Sequence, residues 1–158
     1  MKINSISMKN IRSYKECFIE FSDGITLLSG DIGSGKSSIL LALEFALFGL
    51  HSSGILSGNS LMRKGCTDAS VELDFEVDSK HVKIMRSLKK SSTGAISQKD
   101  ASLIINNEEM KLSVNELKMK ILELLNYPSD FLSKKKISLF RFTVYTCLLY
   151  TSDAADEE

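Results

Sequence analysis

Eight consecutive residues, Gly30-Asp31-Ile32-Gly33-Ser34-Gly35-Lys36-Ser37, have the types and spacing needed to hold phosphate. They match G-x-x-x-x-G-K-[ST], and Ser38 adds a second hydroxyl directly behind. Glycines at 30, 33 and 35 can take backbone angles closed to other residues, so successive N–H groups can turn inward round an anion. A helix beginning near Lys36 adds unpaired N–H groups and the positive end of its dipole. Lys36 offers a mobile full charge to the β and γ phosphates. The Ser37 hydroxyl is the expected Mg²⁺ ligand, with water and phosphate completing the shell. The candidate nucleotide-binding residues are thus Gly30, Asp31, Gly33, Ser34, Gly35, Lys36, Ser37 and Ser38, and the implied cofactors are ATP and Mg²⁺. A glycine-rich turn that happens to contain a lysine is the competing reading, and the flanking pattern speaks against it.

Such a loop needs a strand in front and a helix behind. Ile25-Thr26-Leu27-Leu28-Ser29 reads as a short buried strand, and Ser38 to Phe48 as a helix that Gly49 is placed to end. Ile39 to Phe48 is apolar except for Glu44, so this helix should be buried beside a sheet. Glu44 itself can be a paired buried carboxylate or an outward-facing one; the sequence admits both.

The remaining elements follow from periodicity. Lys2 to Met8 reads as a first strand, Lys9 to Tyr14 as a polar loop, Cys17 to Phe21 as a second strand and Ser22-Asp23-Gly24 as a turn. Residues 51–60, continued by Leu61 to Gly65, read as loop. Val71, Leu73, Phe75 and Val77 alternate with Glu72, Asp74 and Glu76, a strand with one wet face, and Asp78-Ser79 turns it into a partner around His81 to Leu88. Lys89 to Gly94 reads as loop, and Ser102 to Lys111 as a small hairpin about Asn106-Asn107. Ser113-Val114-Asn115-Glu116 is a capping box, with Leu112 and Leu117 in staple positions, opening a helix that Asn126-Tyr127-Pro128 ends. Phe131 and Leu132 read as a short turn or helix, and an apolar strand is expected near Leu139 to Tyr145. The expected class is α/β, a P-loop NTPase whose antiparallel sheet lies beside a buried P-loop helix.

The totals narrow the function. The 158 residues suit one domain or part of one. The formal net charge is zero, yet Asp153, Asp156, Glu157 and Glu158 lie in the last six residues; without them 16 acids face 20 bases, a mild excess of +4 compatible with nucleic acid. Cys17, Cys66 and Cys147 are odd in number and show neither disulfide nor metal spacing. No signal peptide and no 18-residue apolar run is present, so the expected compartment is the cytoplasm, without membrane contact. His51 and His81 stand apart from other ligand types, which argues against metal binding. Arg12-Ser13 could contact a nucleotide or be an ordinary loop pair. Arg63-Lys64 and Lys134-Lys135-Lys136 could touch DNA phosphates or be solvated faces. No apolar strand closes on Asp-Glu, the acidic Mg²⁺ partner that phosphoryl transfer requires, so no catalytic residue is assigned within the chain.

The text Met-Lys-Ile-x-Ser-Ile-x-Met-Lys-Asn-Ile-Arg-Ser-Tyr, followed by the loop and by Ser-Ile-Leu-Leu-Ala-Leu-Glu-Phe-Ala-Leu-Phe-Gly-Leu, resembles the N-terminal lobe of SMC-like ATPases of DNA double-strand-break repair, the SbcC branch. The similarity runs more weakly through Leu61 to Gly65 and residues 70–88 and resumes at Leu139 to Thr146. It implies the N-terminal half of an ABC-type ATPase head over residues 1–146, with Arg12 and Ser13 near the nucleotide. Members often carry Asn where Ile32 stands. After Val144-Tyr145-Thr146 the family continues Pro-Gln-Glu, whose Gln binds Mg²⁺ and the attacking water. This chain instead reads Cys147-Leu148-Leu149-Tyr150-Thr151-Ser152 onward, which looks like a translated sequencing-library adapter, so residues 147–158 are expected to be an artefactual tail. The resemblance further implies a missing C-terminal lobe with the signature motif and the Asp-Glu strand, a homodimer of heads, double-stranded DNA and an SbcD-like nuclease partner. Competing readings are a chromosome-organising SMC head or another ABC-class ATPase, a purely DNA-binding head, and a P-loop kinase; the hairpins of residues 70–105 disfavour the last.

Overall fold

Alternation of apolar and polar residues builds the sheet in the computed structural model, which describes residues 1–51, 54 and 56–127. β1 (Lys2–Ile11) and β2 (Tyr14–Glu20) form a hairpin, and β3 (Asp68–Val77) pairs with the other edge of β1. β4 (Lys80–Lys90), β5 (Ile96–Ile105) and β6 (Glu108–Lys111) continue the meander. The six strands lie in the order β2-β1-β3-β4-β5-β6 with every neighbouring pair antiparallel. Ala69, Val71, Leu73, Phe75 and Val77 of β3 are buried, and the residues between them face the wetter side.

Turn chemistry sets the register. Val77 pairs with Lys80 across Asp78-Ser79, and Ile105 with Glu108 across Asn106-Asn107. All four turn residues have positive φ, the geometry whose twist matches a two-residue hairpin. Lys9 to Tyr14, expected as a loop, is instead the tip of the first hairpin. β1 runs on to Ile11, which pairs with Tyr14, leaving only Arg12-Ser13 to turn. Polar Lys9 and Asn10 fit there because the strand end needs backbone pairing more than an apolar side chain.

Three helices accompany the sheet among the described residues: α1 (Lys36–Phe48), the single turn α2 (Gly58–Leu61) and α3 (Val114–Leu124). α1 packs on β1, β3 and β4, and α3 on β5 and α1. The core lies between α1 and the sheet, where Phe45, Phe75, Ile6, Met8, Leu73 and Ile84 are fully buried. Burying each such side chain contributes roughly 1.5–3 kcal/mol. Glu44 turns inward and is buried as well.

α3 is bounded as its sequence requires. The Ser113 hydroxyl accepts from the Glu116 N–H at 3.3 Å, and the Ser113 N–H donates to the Glu116 carboxylate at 2.8 Å. At the other end Asn126 adopts φ 55°, the Tyr127 N–H reaches the Leu122 carbonyl and the Asn126 N–H reaches that of Glu123, a Schellman closure.

One expected element is absent. Ile25 to Ser29 forms no strand; Ile25 is 99% and Leu27 84% exposed. A strand needs a hydrogen-bonding neighbour, and no described strand lies alongside this segment. The expected run of Lys134 to Lys136, the strand near Leu139 to Tyr145 and the tail of residues 147–158 fall outside the described residues.

Candidate nucleotide-binding site

Gly35 is the residue on which the loop turns into α1. It has φ 100° and ψ 2°, a left-handed conformation that any side chain would strain. A Cβ there would also stand 2.7 Å from the Tyr14 hydroxyl, so the β1–β2 hairpin tip packs directly against the loop. Gly30 is crowded from within: at φ 146°, a Cβ would meet Ser34 Oγ at 2.9 Å. The Ser34 N–H donates to the Asp31 carbonyl at 3.1 Å, which closes the turn, and the Ser38 N–H donates to the Gly35 carbonyl at 2.8 Å as the helix begins.

The Lys36 ammonium folds back over this turn. It donates to the carbonyls of Gly30 at 2.6 Å and Asp31 at 2.8 Å, and to Ser34 Oγ at 3.2 Å. A cation held by exposed neutral oxygens is readily re-aimed at a phosphate, because only weak partners are exchanged. Ser37 is exposed at the helix start and Ser38 is buried, so of the two hydroxyls Ser37 is the one open to a ligand. Among the described residues no cluster of three or more His, Cys, Asp or Glu could hold a metal by itself. A Mg²⁺ ion at this loop would take the Ser37 hydroxyl together with water and phosphate oxygens. Ile32 stands fully exposed at the loop tip.

Arg12 and Ser13 lie at the hairpin tip beside Tyr14. Arg12 has φ 48°, unusual for a long side chain, and its neighbours fix it there. The Arg12 N–H donates to the Leu61 carbonyl at 2.9 Å, and the Arg63 N–H to the Asn10 carbonyl at 2.8 Å. Arg63 Nη1 then donates to the carbonyls of Ser13 at 2.7 Å and Arg12 at 3.3 Å. Arg12, Ser13, Arg63 and Lys64 consequently line one cleft of about 640 Å³ with Asn59, Ser60 and Met62. The structure thus joins Arg12-Ser13 to the basic pair Arg63-Lys64, which sequence spacing kept apart. The clamp of Arg63 on the turn was not legible in the sequence, because it depends on the bridge between Ile11 and Met62.

His81 pairs with Asp74 at 2.9 Å on the wet side of the sheet, a local polar contact with no part in the loop. Arg86 is another residue that charge alone misplaces. It is fully buried, and burial lowers its pKa to about 10. The signal for it was present: Val82, Ile84, Arg86 and Leu88 share one parity on β4, and all four are buried.

A family profile described as "AAA domain" matches residues 5–149. The chain is 36% identical over 133 residues to the "DNA double-strand break repair Rad50 ATPase" of Methanococcus maripaludis, covering 84% of this chain and 13% of that protein. It is 40% identical over 95 residues to the protein of the same name from Methanocaldococcus jannaschii, covering 60% of this chain and 9% of that one. The chain therefore spans only about an eighth or less of the length of these relatives. Among solved structures, the SMC head domain from Thermotoga maritima superposes with a TM-score of 0.50 at 24% identity, over 76% of this chain and 42% of that one. The recombination mediator RecF does so with 0.54 at 23%, over 73% and 29%. These two likenesses concern the fold. With the profile spanning nearly the whole chain, the protein belongs to the AAA-domain family and has the fold of a P-loop NTPase.

Proposed function

We propose that this chain is the ATP-binding N-terminal lobe of a DNA double-strand-break-repair ATPase. The observation that carries the reading is the loop of positive-φ glycines, Gly30, Gly33 and Gly35, that opens a buried helix, with the Lys36 ammonium poised over it. In this reading the amides of Gly33, Ser34, Gly35 and Lys36 hold the β phosphate. Lys36 exchanges the Gly30 and Asp31 carbonyls for phosphate oxygens, and Ser37 orients Mg²⁺. Arg12, held by Arg63, approaches the triphosphate from the hairpin side, with Ser13 beside it. ATP, when bound, supplies the phosphoryl group whose hydrolysis resets the head.

Residues 1–146 form the lobe in this reading, and 147–158 are a foreign tail; sequencing the locus from unfragmented DNA tests that division. The exposed large apolar side chains of Ile25, Leu27 and Phe18 support a further lobe packing against them. That lobe would bring the signature motif and the acidic Mg²⁺ partner. In the intact, cytoplasmic protein two heads would close on ATP, bind double-stranded DNA and control an SbcD-like nuclease. No described helix is long and apolar enough to cross a membrane.

The test is a titration of the chain with a fluorescent ATP analogue and Mg²⁺. Saturable binding is expected, abolished in Lys36→Ala, with almost no turnover by this chain alone. Equal binding by both proteins, or brisk hydrolysis by the isolated chain, would overturn the reading.

A further inference from the structure

The loop opens α1, and the opposite end of that helix carries directional bonds to the sheet. Nine of its 13 residues are buried, seven of them apolar, and the burial of apolar surface is non-directional. Its N-terminus has no side-chain cap, and its last turn carries no basic residue. Two carbonyls of that last turn are met from the sheet instead. Arg86 donates from Nε to the Ala46 carbonyl at 2.7 Å and from Nη2 to the Leu47 carbonyl at 3.1 Å. Two bonds from one planar group to successive carbonyls define both the height and the rotation of the helix. A guanidinium there also complements the negative end of the helix dipole. The surroundings leave little slack. Gly49 ends the helix at φ 79°, where a Cβ would lie 3.1 Å from Gln98 Oε1 and 3.4 Å from Arg86 Nη1. Arg86 Nη1 and both amide atoms of Gln98 are buried without a hydrogen-bond partner among the described residues. The two carbonyl bonds are therefore what orients the guanidinium.

We propose that Arg86 is a positioning residue for the phosphate loop: by pinning the last turn of α1 to β4, it sets where the amides of Gly33, Gly35 and Lys36 converge. The proposal rests on the loop being a polyphosphate site, and its test separates the two ideas. The ¹⁵N-labelled chain is compared with Arg86→Met, Arg86→Lys and Gln98→Leu, each well below its melting midpoint. Loop amide resonances are recorded without nucleotide, and MgATP affinity is then measured by titration.

Arg86→Met shifts the resonances of Gly33, Gly35 and Lys36 and weakens MgATP by about tenfold. Arg86→Lys, which keeps the charge but reaches one carbonyl, recovers part of both. Gln98→Leu, which alters the same pocket without touching the carbonyl bonds, leaves both at the wild-type values even if its melting point moves. A folded Arg86→Met with wild-type loop resonances and affinity overturns the proposal. Should that variant not fold, an Arg86→Lys protein identical to wild type in both readouts does the same. A wild-type chain that ignores MgATP overturns the polyphosphate reading, while the nucleotide-free resonances still decide whether Arg86 governs the loop.

Discussion

The two sides of the phosphate loop differ sharply. Behind it, α1 and the sheet bury Phe45, Phe75 and Leu73 completely, whereas in front of it Ile25 and Leu27 stand in solvent. The rear side closes on itself because every strand pairing except β1–β3 joins strands adjacent in sequence. The front segment has equally apolar residues but no neighbour to pair with among the described residues. Apolar content alone thus did not create structure; an available partner did.

Substitutions can break or sharpen this contrast. The largest effect is expected for Phe45→Ala, about 3–5 kcal/mol lost by urea unfolding, against less than about 0.5 kcal/mol for Leu27→Ala. Comparable losses at the two positions would mean that the front segment is packed in solution. Next comes Gly35→Ala, which places a side chain at φ 100° against Tyr14. It should cost about 1–3 kcal/mol and remove ATP binding. Ser113→Ala removes the α3 cap and should cost about 1 kcal/mol in the same unfolding assay, leaving ATP binding intact.

The smallest effect is a pH dependence. Hydrogen bonding from Ser113, through its hydroxyl and then its backbone N–H, holds the Glu116 carboxyl below its ordinary 4.5. A carboxyl whose folded pKa is depressed stabilises above its unfolded value, and that stability is lost as pH falls through the folded one. Acid titration below pH 4.5 should therefore loosen α3 in wild type and do less in Ser113→Ala, followed by helical circular dichroism. Identical acid profiles in the two proteins would remove Glu116 from the account.

Much of the fold was legible in the sequence where a local rule had no competitor. The alternation from Val71 to Val77, the Asp78-Ser79 and Asn106-Asn107 turns, the capping box at Ser113 and the stop at Gly49 all specify their structures within a few residues. The phosphate loop was legible for the same reason. Ile25 to Ser29 was misread because its apolar pattern states a need for burial, and burial depends on a neighbour elsewhere. Arg86 was passed over because a basic residue among Lys83, Lys89 and Lys90 looks like part of a wet face; only strand parity reveals it facing α1. The pairing of Arg12-Ser13 with Arg63-Lys64 spans about fifty residues of chain and rests on tertiary contacts that spacing does not encode.

The contact between Tyr14 and Gly35 has a practical consequence. The chain contains four tyrosines and no tryptophan, so the long-wavelength end of its near-ultraviolet absorption belongs to phenol rings. Burial holds the Tyr14 phenol above its usual ionisation range. One chromophore is thereby built against the backbone of the loop, and alkaline difference spectroscopy of wild type against Tyr14→Phe would follow that backbone without any attached label.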